Sequence, residues 1–166
     1  MKHQVILLGP PGAGKGTQAK SLCKSLNLPH ISTGDMLRDA RARGTELGNK
    51  AQEYISAGQL VPDELVNGIV AERLANEDGG FLLDGYPRTL SQAKALQDFG
   101  QKISKVILID VADEVLVGRI CGRLSCSACG SIYHLLNLAP KVSGVCDQCQ
   151  SALSQRPDDT EAVVRE

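Results

Sequence analysis

Residues Gly9 to Thr17 read GPPGAGKGT, directly after the apolar run Val5-Ile6-Leu7-Leu8 and directly before a stretch whose apolar residues, Ala19, Leu22 and Leu26, recur at helical spacing. A strand, a glycine-rich loop and a helix in that order form a phosphate-binding loop. The glycines let the backbone wrap an anion with its N–H groups, the helix aims its positive end at the same point, and Lys15 adds a mobile cation. A purely structural turn is the competing reading, but a buried turn has no use for a lysine between two glycines. One departure from the general pattern is that Gly16 follows the lysine, so the hydroxyl arrives one position later, at Thr17, and its direct ligation of a metal is not implied.

Working outward, short apolar runs alternate with amphipathic stretches. Val5 to Leu8, His30-Ile31-Ser32, Phe81-Leu82-Leu83 and Val106 to Ile109 are continuous in polarity, as expected of buried parallel strands. Between them the spacing predicts helices over Gly14 to Leu26, Gly34 to Arg43, Gly48 to Ala57, Glu64 to Ala75, Ser91 to Phe99 and Asp113 to Gly122. This is βαβ logic: an α/β fold of the P-loop NTPase type, its parallel sheet covered by helices on both faces. At 166 residues the chain can bury roughly 70% of its unfolded surface, enough for one core with small insertions. A net charge of −1 argues against a general nucleic-acid or membrane-surface binder and for a small partner. No apolar run approaches membrane-spanning length, and no secretory leader pattern is present, so a reducing, cytoplasmic location is expected.

In such a compartment clustered cysteines read as metal ligands before disulfides. From Arg123 to about Arg156 helical periodicity stops, and there Cys126-x2-Cys129 is followed, after sixteen residues, by Cys146-x2-Cys149. Two such knuckles match a structural four-cysteine zinc site, with every coordination position filled by protein. The alternative is four unmetallated thiols. So few apolar side chains lie in this stretch that a metal would have to supply its folding energy. Cys23 and Cys121 stand alone in helical segments and read as small core hydrophobes.

Phosphoryl transfer needs positive charge around donor and acceptor, and Arg38, Arg88, Arg119, Arg123 and Arg156 lie beside loops or segment ends. Arg88 follows Leu83-Asp84-Gly85-Tyr86-Pro87 at the carboxyl end of a strand, where ligands of open α/β sheets gather. Arg119 and Arg123, four apart, are expected on one helix face.

Taken together, GPPGAGKGT, ISTGDMLR at Ile31 to Arg38, GQLVPDELV at Gly58 to Val66, FLLDGYPRT at Phe81 to Thr89 with Gln92, VGRICGR at Val117 to Arg123, and Arg156-Pro157-Asp158-Asp159 resemble the adenylate kinase family. The closer resemblance is to its bacterial long-lid form with a zinc-binding lid. It implies the reaction ATP + AMP to 2 ADP, with Mg2+. It also implies a core over 1–31, 62–121 and 160–166, an AMP-binding insertion over 32–61, and a zinc-binding lid over 122–159.

Carried onto this sequence, the resemblance assigns Gly12, Ala13, Gly14, Lys15, Gly16 and Thr17 to the ATP phosphates, with Arg119, Arg123, Ile132 and Tyr133 on the lid side of ATP. It assigns Thr33, Arg38, Gln59, Leu60, Val61, Gly85, Tyr86, Pro87, Arg88, Gln92 and Arg156 to AMP. Lys15, Arg88, Arg119, Arg123 and Arg156 would carry catalysis, and Asp84 would hold magnesium through water. Two readings stay open: Thr89 and Gln92 are also spaced as a helix capping box, and Asp84 could instead cap the turn after its strand.

The resemblance further implies segments past Glu166: another lid-side arginine, a last helix pair, a fifth edge strand and a loop at the ATP base. The final pattern, Asp158 to Glu166 with Arg165 on it, is helical and lacks a Gly or Asn cap, as in a C-terminally truncated form. A truncated chain is expected to keep phosphate binding at Lys15, to transfer phosphate weakly, and to self-associate through an exposed Val106 to Ile109 edge, whereas full-length relatives are expected to be monomeric. The readings to separate are therefore an AMP kinase, a nucleotide-binding module with little turnover, and a kinase for another nucleoside monophosphate. Thr33 and Gln92 favour adenine.

Overall fold

The computed structural model describes residues 3–56, 59, 61–77, 79–156 and 159–162, which pack as two compact units: 1–9 with 14–110, and 10–13 with 111–166. Gly58, Leu60, Pro157, Asp158 and most of the terminal pattern with Arg165 lie outside the described residues.

The first unit runs β1 (Gln4–Leu8), α1 (Lys15–Leu26), β2 (His30–Ser32), α2 (Thr33–Ala42), α3 (Glu46–Ser56), α4 (Asp63–Ala75), β3 (Phe81–Asp84), α5 (Leu90–Asp98) and β4 (Lys105–Leu108). Its sheet has the order β2-β3-β1-β4 and every pairing is parallel, as the unbroken apolar runs require. Side-chain alternation along β1 sorts the core into two. Ile6 packs with Ile31, Phe81 and Leu83 against α2 to α5, while Val5 and Leu7 pack with Leu82 against Ala19 of α1. Each large apolar side chain buried this way contributes roughly 1.5–3 kcal/mol. Local chemistry sets the helix ends. The Ser32 hydroxyl accepts from Asp35 N–H to start α2, and α1 stops where Asn27 turns left-handed at φ 52°.

One expectation needs correction. The run Val106 to Ile109 reads as a buried strand, yet β4 is exposed along its length, Val106 at 58% and Leu108 at 66%. The reason is topological: β4 pairs with β1 alone among the described strands, so one edge and part of its faces meet solvent.

The second unit contains α6 (Asp113–Cys121) and an antiparallel sheet, order β6-β5-β7, from β5 (Arg123–Cys126), β6 (Ile132–His134) and β7 (Leu153–Ser154). The spacing places Arg123 on one helix face with Arg119, and that expectation fails at Gly122. A Cβ at Gly122 would lie 2.4 Å from Nε2 of His134, so only glycine admits the ring where the chain leaves α6 for β5. Arg119 is therefore on a helix and Arg123 on a strand. The apolar cluster of this sheet is small, Cys126, Tyr133 and Cys146 with Leu124 and Leu153 at its edge. No helix among the described residues is long and apolar enough to cross a membrane.

Candidate active site

The loop between β1 and α1 has the backbone its sequence demands. Gly12 and Gly14 hold φ of 77° and 95°, a region that side-chain-bearing residues rarely adopt. A Cβ at Gly12 would also lie 2.7 Å from Cγ1 of buried Ile120. Gly14 caps α1 without any side-chain cap bond, leaving the start of the helix shaped for an anion. Lys15 Nζ donates to the Gly9 carbonyl at 2.7 Å, which stations the ammonium across the loop's mouth.

Beside this loop, β3 ends at Asp84, which is 8% exposed. A Cβ on Gly16 would sit 3.6 Å from Asp84 Oδ2, so strand end and phosphate loop are neighbours. His30 Nε2 approaches the same oxygen at 3.2 Å, a contact between the ends of β2 and β3 that the sequence does not advertise. One residue on, the Gly85 carbonyl accepts from Thr33 Oγ1 and from Arg88 Nε, each at 2.9 Å. A Cβ at Gly85 would press within 3.2 Å of both Thr33 Oγ1 and an Arg88 nitrogen, and φ there is 78°. Glycine thus lets a hydroxyl and a guanidinium converge on one backbone atom.

Of the residues expected to meet AMP, the fold gathers Thr33, Gly85, Arg88 and Gln92. Arg38 is exposed and ion-paired to Asp35 at 2.5 Å, folded back over Gly34. Gln92 is 2% exposed. Thr89 Oγ1 accepts from Gln92 N–H at 3.1 Å, while Gln92 Oε1 accepts from Arg88 N–H at 2.7 Å, one residue before the position a capping box uses. The capping reading and the site reading thus concern the same hydrogen bonds. Tyr86 is fully buried and its hydroxyl donates to Asn67 Oδ1 at 2.7 Å and reaches the Gln92 carbonyl at 3.1 Å, so its side chain serves the core and only its backbone borders the site. Burial, and after it the negative charge of Asp63, push that hydroxyl up to about 12. Pro87 follows Tyr86 through a cis peptide bond. Val61 is buried in the core, Gln59 is exposed, and Leu60 lies outside the described residues.

In the second unit Arg123 is held by Asp159 through both carboxylate oxygens, Nε to Oδ2 at 2.9 Å, and Arg156 Nε lies 3.2 Å from Ser125 Oγ. Arg119 is exposed on α6. Ile132 and Tyr133 share β6, but the Tyr133 ring is buried. Its hydroxyl accepts from Asp147 N–H at 2.8 Å and lies 3.6 Å from Cys146 Sγ, so the Tyr133 side chain serves the small core of this unit.

The four knuckle cysteines do come together, all their sulfurs within 4.8 Å of one another. Cys126 and Cys149 sulfurs are 3.4 Å apart and those of Cys129 and Cys146 3.6 Å, against about 3.8 Å between ligands of a tetrahedral zinc–thiolate site. Both spacings suit a metal. Burial pushes the Cys146 thiol up, but the Tyr133 hydroxyl, the N–H groups of Cys149 and Gln148 and the Cys129 thiol overcome it and bring the group down to about 6. At Cys126 the Cys129 N–H pulls down, and burial with the Cys149 thiol prevails, up to about 11.

A glycine-rich loop at a helix start with a stationed lysine, a carboxylate beside it, and Thr33 and Arg88 converging on the backbone just past β3 define a P-loop phosphotransferase. The adenylate kinase family profile matches residues 7–166, and the chain belongs to that family. It is 54% identical over 167 residues to the adenylate kinase of Thermosipho africanus, covering 97% of this chain and 78% of the relative. It is 54% identical to that of Archaeoglobus fulgidus (98% and 77%) and 53% identical to that of Kosmotoga olearia (98% and 78%), each over 168 residues. The chain is accordingly a nucleoside monophosphate kinase, reversibly converting ATP and AMP to two ADP, and the binding-module alternative is not favoured. Adenylate kinases use Mg2+ with ATP, and the cysteine cluster can hold a metal.

Proposed function

We propose that the ATP phosphates lie on Gly12 to Thr17, with Lys15 leaving the Gly9 carbonyl for the donor phosphate oxygens. AMP lies against Thr33, Gly85, Arg88 and Gln92, with Arg38 turning from Asp35 to its phosphate and the backbone of Gln59 to Val61, Tyr86 and Pro87 bordering the base. The observation that carries this reading is the convergence of Thr33 and Arg88 on Gly85, one residue past Asp84 and the phosphate loop. Within it, Arg88 can hold the acceptor phosphate with two parallel N–H donors and aim one of its oxygens along the line of transfer. No side chain has to remove a proton, because positioning and charge neutralisation supply most of the rate in this chemistry.

Arg119, Arg123 and Arg156 would add charge as the transition state forms, Arg123 being oriented meanwhile by Asp159. Asp84 suits magnesium, a hard cation that prefers carboxylate oxygen and water. When bound with ATP, that ion neutralises charge on the phosphates. Cys126, Cys129, Cys146 and Cys149 would hold one structural zinc in a lid over 122–159, with 32–61 as the AMP insertion and the remainder as core. A cytoplasmic setting fits four thiols in use as metal ligands.

The test is Arg88→Ala. Losing one charge-assisted bidentate contact, about 1.5–3 kcal/mol, should weaken AMP use by roughly 10- to 150-fold while binding of a non-hydrolysable ATP analogue changes little. Equal losses at both nucleotides would assign Arg88 to the fold instead.

A further inference from the structure

Asp63, the first residue of α4, spends both carboxylate oxygens on the segment after β3. Oδ2 accepts from Thr89 Oγ1 and Oδ1 accepts from Gln92 Nε2, each at 2.7 Å. On the other side of the Gln92 amide, Oε1 accepts from Arg88 N–H at 2.7 Å. A carboxylate only accepts and a backbone N–H only donates, so these two partners dictate which end of the amide is oxygen and which is nitrogen. Shape alone would not, because the two ends are nearly the same size. With both bonds made, the amide retains one hydrogen and one lone pair to offer. Thr89 couples the arrangement to the backbone: its hydroxyl donates to Asp63 while accepting from Gln92 N–H at 3.1 Å.

We propose that Asp63 is a specificity-determining positioning residue, one that selects the acceptor base by fixing the polarity of the Gln92 amide. This rests on the reading above that Gln92 meets the acceptor base. Adenine offers an acceptor at N1 beside a donor at its 6-amino group, which a Gln amide of fixed polarity can match with its remaining hydrogen and lone pair. Hypoxanthine has the same outline with both signs reversed, a donor at N1 and an acceptor at O6. An amide held by Asp63 rejects it, because two like groups then face each other unpaired. A rotated amide would accept it.

The experiment measures kcat/KM for AMP and for IMP on one preparation of each variant, so that any inactive fraction cancels in the ratio. Asp63→Ala should lower the AMP-to-IMP ratio about tenfold and raise KM for AMP, with KM for ATP unchanged. Asp63→Asn should restore the ratio toward wild type, since its Oδ1 still accepts from Gln92 while the Thr89 hydroxyl turns to accept from Nδ2. Gln92→Ala separates the proposal from the reading beneath it. If that change leaves the ratio at its wild-type value, Gln92 does not meet the base. If Gln92→Ala collapses the ratio while Asp63→Ala leaves it intact, or if the Ala and Asn variants at position 63 share one ratio, the role given to Asp63 is overturned.

Discussion

Replacing Gly48 by alanine is expected to destabilise the protein, although alanine is the better helix former. Gly48 lies in the first turn of α3, and a Cβ there would stand 2.3 Å from the Ala40 carbonyl carbon, 2.4 Å from its oxygen and 2.4 Å from Arg41 N. All three atoms are backbone of α2, so no rotamer change relieves the contact. The helices must part by roughly 1 Å to regain van der Waals separation. The turn between them resists, because Ala40 O accepts from Thr45 N–H at 3.1 Å and from Thr45 Oγ1 at 3.0 Å, and Thr45 Oγ1 accepts from Gly48 N–H at 3.1 Å. Against a propensity gain of about 1 kcal/mol stands an overpacking cost of about 1–3 kcal/mol, at the upper end when backbone must move. The net loss is about 1–2 kcal/mol, a fall of roughly 2–8 °C in melting temperature for a chain of this size. Gly68 of α4 is the control, since a Cβ there meets nothing within 4 Å and alanine should stabilise. KM for AMP should rise only in the Gly48 variant, because α2 carries Thr33 and Arg38. Thermal melts of both variants decide it: a Gly48→Ala protein stabilised as Gly68→Ala is would refute the close packing of α2 on α3.

Tyr86→Phe should cost about 1–3 kcal/mol by stranding Asn67 Oδ1 and should leave ATP-analogue binding unchanged, as denaturant titration and calorimetry would show. Because folding raises the Tyr86 hydroxyl to about 12, the folded state holds that proton more tightly. Its contribution is complete below about pH 10 and lost as pH rises toward 12, so wild type and Tyr86→Phe should converge in stability across that window. Elemental analysis of protein purified under reducing conditions should find one zinc per chain. Chelation, or Cys146→Ser, should disorder the β5 to β7 sheet while most of the helical circular dichroism survives, since the apolar cluster there is small.

The phosphate loop could be read from sequence because its chemistry is local: nine residues, Gly9 to Thr17, carry the glycines and the lysine, with a strand directly before them and a helix that begins at Lys15. The cysteine cluster was legible for the same reason, ligand spacing being a short-range property. What could not be read depends on contacts distant in the chain. Asp63 meets Thr89 and Gln92 only because the N-termini of α4 and α5 converge, and nothing near Asp63 announces it. Tyr86 sits between Gly85 and Arg88 in sequence, yet its ring turns into the core. Val106 to Leu108 carries the same apolar signature as a central strand, so the run alone reads as buried, and only the resemblance, with its further edge strand, pointed to an exposed edge. The β5 to β7 strands are too short for periodicity to register, and the glycine that ends α6 is explained only by the His134 ring packed against it.

Incubating the 166-residue chain with ATP, Mg2+ and, in turn, AMP, CMP, UMP or GMP, and quantifying the nucleoside diphosphates formed, tests the central claim most directly. Transfer from the Lys15 loop to an acceptor held by Thr33, Arg88 and Gln92 predicts two ADP for each AMP consumed, with the other three acceptors used far less well. Diphosphate formation as fast with CMP or UMP as with AMP, or none with AMP, would contradict it.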